Sequence, residues 1–134
     1  MKFLELAGAV ILKENKILLI HRNTPNLKQW ELPGGKLEKG ELPEEAAKRE
    51  LKEELDVMVT ILKYLGNEEF PDEDLLLKYH WYLAEIKEGV PKLMETKFDK
   101  INYFTKEELE KRTDLSSNMK VLLEAVGGNK IWNI

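Results

Sequence analysis

The chain has 134 residues, 21 basic against 25 acidic side chains and a net charge of −4, which fits one domain, 1–134, and argues against a binder of nucleic-acid polymers, since that task needs a basic stripe. It has no cysteine, so disulfides, thiolate zinc sites and cysteine nucleophiles are excluded. No stretch of about eighteen apolar residues occurs, so no membrane span is expected, and a cytoplasmic home fits.

The apolar run in MKFLELAGAVIL is interrupted by Glu5 and reads as a strand rather than a signal segment. Ala7 to Leu12 and Ile17 to Ile20 flank the polar Lys13-Glu14-Asn15-Lys16, the pattern of a hairpin. His21 and Arg22 follow. His21 is assigned no role, whereas the planar fork of Arg22 makes it either a phosphate partner or a solvated loop residue. Asn23 to Gln29 reads as a polar loop, and Trp30 to Pro33 leads into Gly34 and Gly35, where the backbone is free to approach a ligand. Gly35 and Lys36 are therefore candidate substrate contacts.

Pro43 suits a first helical turn, and Glu44 and Glu45 suit the positive end of the dipole, so a helix is predicted from Pro43. Ala47, Leu51 and Leu55 recur every four residues as its packed stripe. Glu50, Glu53 and Glu54 stand at i, i+3 and i+4 beside that stripe. Like charges so placed repel, and a hard divalent cation would relieve them, because Mg²⁺ takes carboxylate and phosphate oxygens. The bland alternative is a solvated acidic face.

After the helix, Val57 to Leu65 reads as a strand and Gly66 to Asp74, with Pro71, as a surface loop. Phe70 on that loop either stacks on a base or tucks into the domain. Leu75 to Ile86 is the best central strand by composition, Glu88 to Pro91 a turn, and Phe98 to Phe104 a further strand. Thr105 with Glu108 has the capping-box form and opens a helix to about Arg112. Ser116 or Ser117 caps a last helix through Val126, ended by Gly127 and Gly128. Strands, one acidic helix, more strands and a C-terminal helix make an α+β order rather than a regular βαβ alternation.

The spacing Gly35, five residues, Glu41, seven residues, Arg49-Glu50-Leu51-Lys52-Glu53-Glu54, one residue, Asp56-Val57 resembles the signature of the Nudix hydrolase family. Asp56 stands where that family has Gly. Asp tolerates the left-handed backbone of a helix exit, so the change bears on stability rather than on a ligand. The resemblance implies a mixed sheet between helices, an α/β/α sandwich, and attack of water on a pyrophosphate. It implies Mg²⁺, or Mn²⁺, held by Gly35, Glu50, Glu53 and Glu54, with one of the glutamates as base. By the same resemblance Arg49 orients the glutamates, Glu41 ties the loop to the helix, and Glu95 or Asp99 supplies a further acid.

Among family branches the chain is similar to MutT-like members in length, in Trp30 to Gly35, and in Ser116-Ser117-Asn118. There Asn118 would contact a purine edge, unless it belongs to the helix cap. The implied substrate is a small nucleotide, a purine nucleoside triphosphate in native or oxidised form. ADP-ribose or a nucleotide sugar is the rival, and a nucleotide-binding module without turnover is the rival of another class. The assembly is expected to be a monomer or homodimer.

Overall fold

The computed structural model describes residues 2–127. Its centre is a mixed sheet built from β1 (Lys2–Lys13), β2 (Lys16–Thr24), β3 (Leu27–Glu31), β4 (Gly34–Lys36), β5 (Met58–Asp72), β6 (Leu75–Glu88) and β7 (Phe98–Phe104). Five strands run in the order β3-β2-β1-β6-β5, while β4 pairs with β1 and β7 with β2. β1 and β6 are parallel, and the other strand pairs are antiparallel.

The predicted first hairpin forms across Glu14 and Asn15, which both take positive φ, 52° and 62°. Two such residues match the right-handed twist of the flanking strands, and Asn is among the side chains that accept that conformation.

Helix α1 (Pro43–Leu55) begins at Pro43 as predicted, and Glu45 reaches back to the backbone N–H of Leu42 at 2.9 Å. Its stripe of Ala47, Leu51 and Leu55 is fully buried, the two leucines against Leu18, Ile20 and Ala9 of the sheet. Each such leucine contributes about 2 kcal/mol of apolar burial. Asp56 ends the helix at φ 56°, ψ 41°, the left-handed cap that Asp tolerates. On the opposite face of the sheet lie α2 (Lys106–Glu110), α3 (Ser117–Val121) and a π-helical segment (Leu122–Gly127). Leu109, Met119 and Leu122 there pack with Trp81 and Phe104. The α+β architecture with helices on both faces is as expected.

Three sequence expectations need correction. Leu27–Glu31 is a strand, where a loop from Asn23 to Gln29 was expected, because Thr24 and Leu27 close a tight turn across Pro25 and Asn26 onto β2. Gly34–Lys36 is a short strand held by Leu6, Ala7 and Gly8 of β1. The segment from Gly66 to Asp72 is the second half of β5, not a loop, and only Glu73 and Asp74 turn. As the outer strand of the sheet, β5 carries Pro71 and acidic side chains without cost to the ladder. Ser116 is the cap of α3, and its Oγ accepts the Met119 N–H at 3.2 Å. Gly128 lies outside the described residues. Among the described residues no helix is long and apolar enough to cross a membrane.

Candidate active site

Strand β4 lies between β1 and α1, so the glycine turn meets the acidic face of the helix. Glu54 is 3% exposed, and its Oε1 accepts the Gly34 N–H at 2.8 Å. Glu50 comes so close to β4 that a Cβ at residue 35 would stand 2.5 Å from its carboxylate. Gly35 is therefore required by the approach of Glu50, not by a turn.

Arg49 organises this group. Its Nε and Nη2 donate to the two oxygens of Glu41 at 2.8 and 2.9 Å, Nη2 also to the carbonyl of Lys36 at 2.9 Å, and Nη1 to Glu50 at 3.0 Å and Glu53 at 3.1 Å. One planar fork thus joins loop, helix start and two of the three glutamates. Glu53 is half exposed and turned onto Arg49. Glu50 and Glu54 are turned toward the glycine turn.

The electrostatics follow from burial. Desolvation, and then the charge of Glu50, push the Glu54 carboxyl up to about 9. Glu50 is raised in the same direction by burial, with the Arg49 hydrogen bond opposing. Glu41 is lowered by its bond to Arg49, and the Arg49 guanidinium is raised in return.

A cleft of about 420 Å³ opens beside these carboxylates and runs from Gly35, Glu50 and Glu54 to Tyr79, Ser117 and Asn118. Lys36 and Arg22 line it. The fork of Arg22 is committed, however, because its Nε and Nη2 donate to Glu31 at 2.6 and 3.1 Å and its guanidinium lies 5.0 Å over Phe98. Asn118 also lines the cleft and is buried, with Oδ1 accepting the Trp81 Nε1–H at 2.7 Å. Phe70 does not reach the cleft. It is 7% exposed within the core, because β5 continues past Gly66 and turns it inward, which corrects its reading as a base-stacking group.

The two acidic candidates of the later loop separate. Asp99 is tied to His21 Nδ1 at 2.7 Å and to Asn23 at 2.9 Å. Glu95 instead raises both Glu50 and Glu54 by its charge. Among the described residues no three His, Asp or Glu side chains converge as a ready-made metal site. The divergence lies in Glu53, which faces Arg49 while Glu54 faces Gly34.

Sequence reasoning missed Tyr79, Glu31, Asp72 and Lys97, which all line the cleft. Tyr79 was findable, since alternation along β6 puts it on one face with Leu77 and Trp81. Lys97 had no local signal. It arrives through the backbone bond from the Asn23 N–H to its carbonyl at 2.8 Å.

A family profile described as the NUDIX domain matches residues 3–126. The chain is 37% identical over 100 residues to an 8-oxo-dGTP diphosphatase of Escherichia coli K12, an alignment spanning 68% of this chain and 73% of that protein. It is 47% identical over 66 residues to an ADP-ribose pyrophosphatase of Methanocaldococcus jannaschii, spanning 48% of this chain and 39% of the relative. Its fold is similar to the crystal structure of a MutT NUDIX hydrolase from Burkholderia pseudomallei, with TM-score 0.82, 28% identity, and 92% and 98% of the two chains covered.

Proposed function

The chain belongs to the NUDIX family and is a pyrophosphohydrolase, and we propose that its substrate is a purine nucleoside triphosphate, native or oxidised, cleaved by water to the monophosphate and pyrophosphate. The observation that carries this reading is the pairing of Glu50 and Glu54, set against Gly35 and Gly34, in a cleft that Asn118 also lines. The similarity to an 8-oxo-dGTP diphosphatase supports the same substrate class. The substrate is a small molecule of the cell interior, so an intracellular site of action goes with the reading.

The donor set fits a hard divalent cation, Mg²⁺ or Mn²⁺. Glu54 is a buried and Glu50 a partly buried oxygen donor, and the charge of Glu50 adds to the cost of ionising Glu54, a cost that an added positive charge removes. Glu50, Glu53, Glu54 and the Gly35 carbonyl would hold it. When bound, such an ion neutralises phosphate charge and acts as a Lewis acid toward the phosphoryl group.

The remaining roles belong to the protein's own groups. Arg49 holds Glu50 and Glu53 in register with the loop through Glu41 and Lys36. One glutamate takes the proton of the attacking water; Glu50 and Glu54 line the cleft, and Glu53 is the most exposed of the three. Lys36 and Lys97 line the cleft and offer ammonium groups to phosphate oxygens. Arg22 contributes the N–H groups that Glu31 leaves free. Glu95, whose charge reaches Glu50 and Glu54, is the better placed of the two later acids to assist them.

A product-resolved hydrolysis screen with Mg²⁺ and with Mn²⁺ tests this, covering dGTP, 8-oxo-dGTP, other triphosphates, ADP-ribose, sugar nucleotides and dinucleoside polyphosphates. Pyrophosphate released from a purine triphosphate supports the reading. AMP plus ribose phosphate from ADP-ribose supports the second reading, which has the short stretch of identity to the archaeal pyrophosphatase in its favour. Glu53→Gln should lose most turnover and stay folded. No turnover of any substrate with either metal would overturn both readings.

A further inference from the structure

The Asn118 amide is not free to choose which end it shows to the cleft. Its Oδ1 accepts the Nε1–H of Trp81 at 2.7 Å, and Trp81 is fully buried on β6. An indole N–H is a donor only, so the amide oxygen must face the tryptophan and the NH₂ must face away. Tyr79, two residues along β6, stacks beside Trp81, its ring 5.9 Å away at an angle of 25°. Burial raises the Tyr79 hydroxyl well above its ordinary value, with a side-chain hydrogen bond to Asn118 as a minor opposing influence. Donation therefore runs from Trp81 into the Asn118 oxygen, and the NH₂ is left for acceptors elsewhere, the Tyr79 oxygen among those within reach. The amide keeps a second N–H, and both Asn118 and Tyr79 line the cleft, whereas Trp81 does not.

Resting on the triphosphate reading above, we propose that Trp81 is a positioning residue for base specificity. It holds the Asn118 amide with an N–H toward the cleft, and so selects bases that present a keto oxygen there, such as guanine, hypoxanthine or uracil, over those that present an amino group, such as adenine or cytosine.

An amino group opposite a fixed amide N–H sets donor against donor, with no acceptor between them. At an amide as buried as that of Asn118 the contact is unmade on both sides, and the wrong base loses more than one hydrogen bond. A free asparagine would escape the conflict by turning over. Here turning over would bring NH₂ against the indole N–H, so the conflict is only moved.

The probe pair is inosine monophosphate and AMP, which differ at the 6-position by keto against amino. Calorimetric titration with each in Mg²⁺, beside kcat and KM for ITP and ATP, reads the selection directly. The wild type should bind inosine monophosphate about ten- to a hundredfold more tightly than AMP. Trp81→Phe keeps a ring but frees the amide, and should bring the two within about threefold, mainly through KM and with little change in kcat. Asn118→Asp keeps the acceptor for Trp81 and replaces the amide nitrogen by an oxygen, so AMP should move ahead. That variant decides the matter if Trp81→Phe does not fold. Equal affinity in the wild type, or a preference untouched by both variants, would overturn the inference and leave the triphosphate reading standing. A preference among monophosphates without hydrolysis of any triphosphate would sink that reading instead and support the amide lock.

Discussion

Replacing Glu54 by Gln should make the protein more stable and nearly inactive. The folded carboxyl keeps its proton up to about pH 9, while the unfolded one loses it near 4.5, so between these values the folded state holds the extra proton. The contribution of this group is then greatest below 4.5 and falls as pH rises, by at most about 1.4 kcal/mol per pH unit, until the folded value is passed. Carried to pH 7.5 that slope removes at most about 4 kcal/mol, and roughly half of that once water and neighbouring dipoles relax around the charge. Glutamine keeps the oxygen that accepts the Gly34 N–H and drops the ionisation. In EDTA at pH 7.5 the variant should therefore melt about 5–10 °C above the wild type, for a gain of about 2 kcal/mol in a domain of this size. The difference should shrink toward zero as the pH is lowered to 4.5. Added Mg²⁺ should raise the wild-type melting temperature and the variant's much less, and hydrolysis should fall at least about a hundredfold. A variant no more stable than the wild type anywhere between pH 5 and 9, or one that still turns over at the wild-type rate, would refute the reasoning.

Arg49→Lys should lower kcat about ten- to a hundredfold with little change in KM, since an ammonium cannot span Glu41, Glu50, Glu53 and the Lys36 carbonyl at once; steady-state kinetics at fixed Mg²⁺ decide it. Gly35→Ala sets a methyl 2.5 Å from the Glu50 carboxylate, and should cost about 1–3 kcal/mol of stability and more than about a hundredfold in activity, measured by urea unfolding and by turnover. Phe70→Leu should lower the melting temperature by a few degrees and leave KM unchanged for every nucleotide, because the ring is in the core; a raised KM would reinstate base stacking. Asp56→Gly should leave kcat unchanged and stability equal or slightly higher, since φ 56° suits glycine better and the Lys52 contact it removes is exposed.

The parts of the fold legible in the sequence are those where one local rule decides. Pro43 and the four-residue stripe of Ala47, Leu51 and Leu55 specify α1 without any partner, and Thr105 with Glu108 caps α2 whatever lies beneath it. Phe98–Phe104 was legible for the same reason, as a short run bounded by polar turns. What failed depends on a distant strand. Gly34–Lys36 has no strand propensity and exists because Leu6 to Gly8 pair with it. The second half of β5 carries Asn67, Glu68, Glu69 and Pro71, a loop by composition, yet its backbone is claimed residue by residue by Leu75 to His80 of β6. Composition reports side-chain preference, and at a sheet edge the ladder outweighs it.

The candidate site divides along the same line. Glu50, Glu53 and Glu54 were legible because helix geometry turns sequence spacing into a shared face, whereas Glu41 and Arg49 were named through the resemblance of their spacing to the family signature. The rest of the cleft was not, because it is assembled from β5, β6, the segment before β7 and α3, which no spacing connects. Asn118 could be named as a base contact from its residue type, but residue type leaves an amide with two faces. Only Trp81, 37 residues earlier and on another element, removes one of them. A buried donor on a rigid strand thus carries information that the residue it holds does not, and specificity in this cleft should be sought in what fixes the contacting side chain as much as in the contact itself.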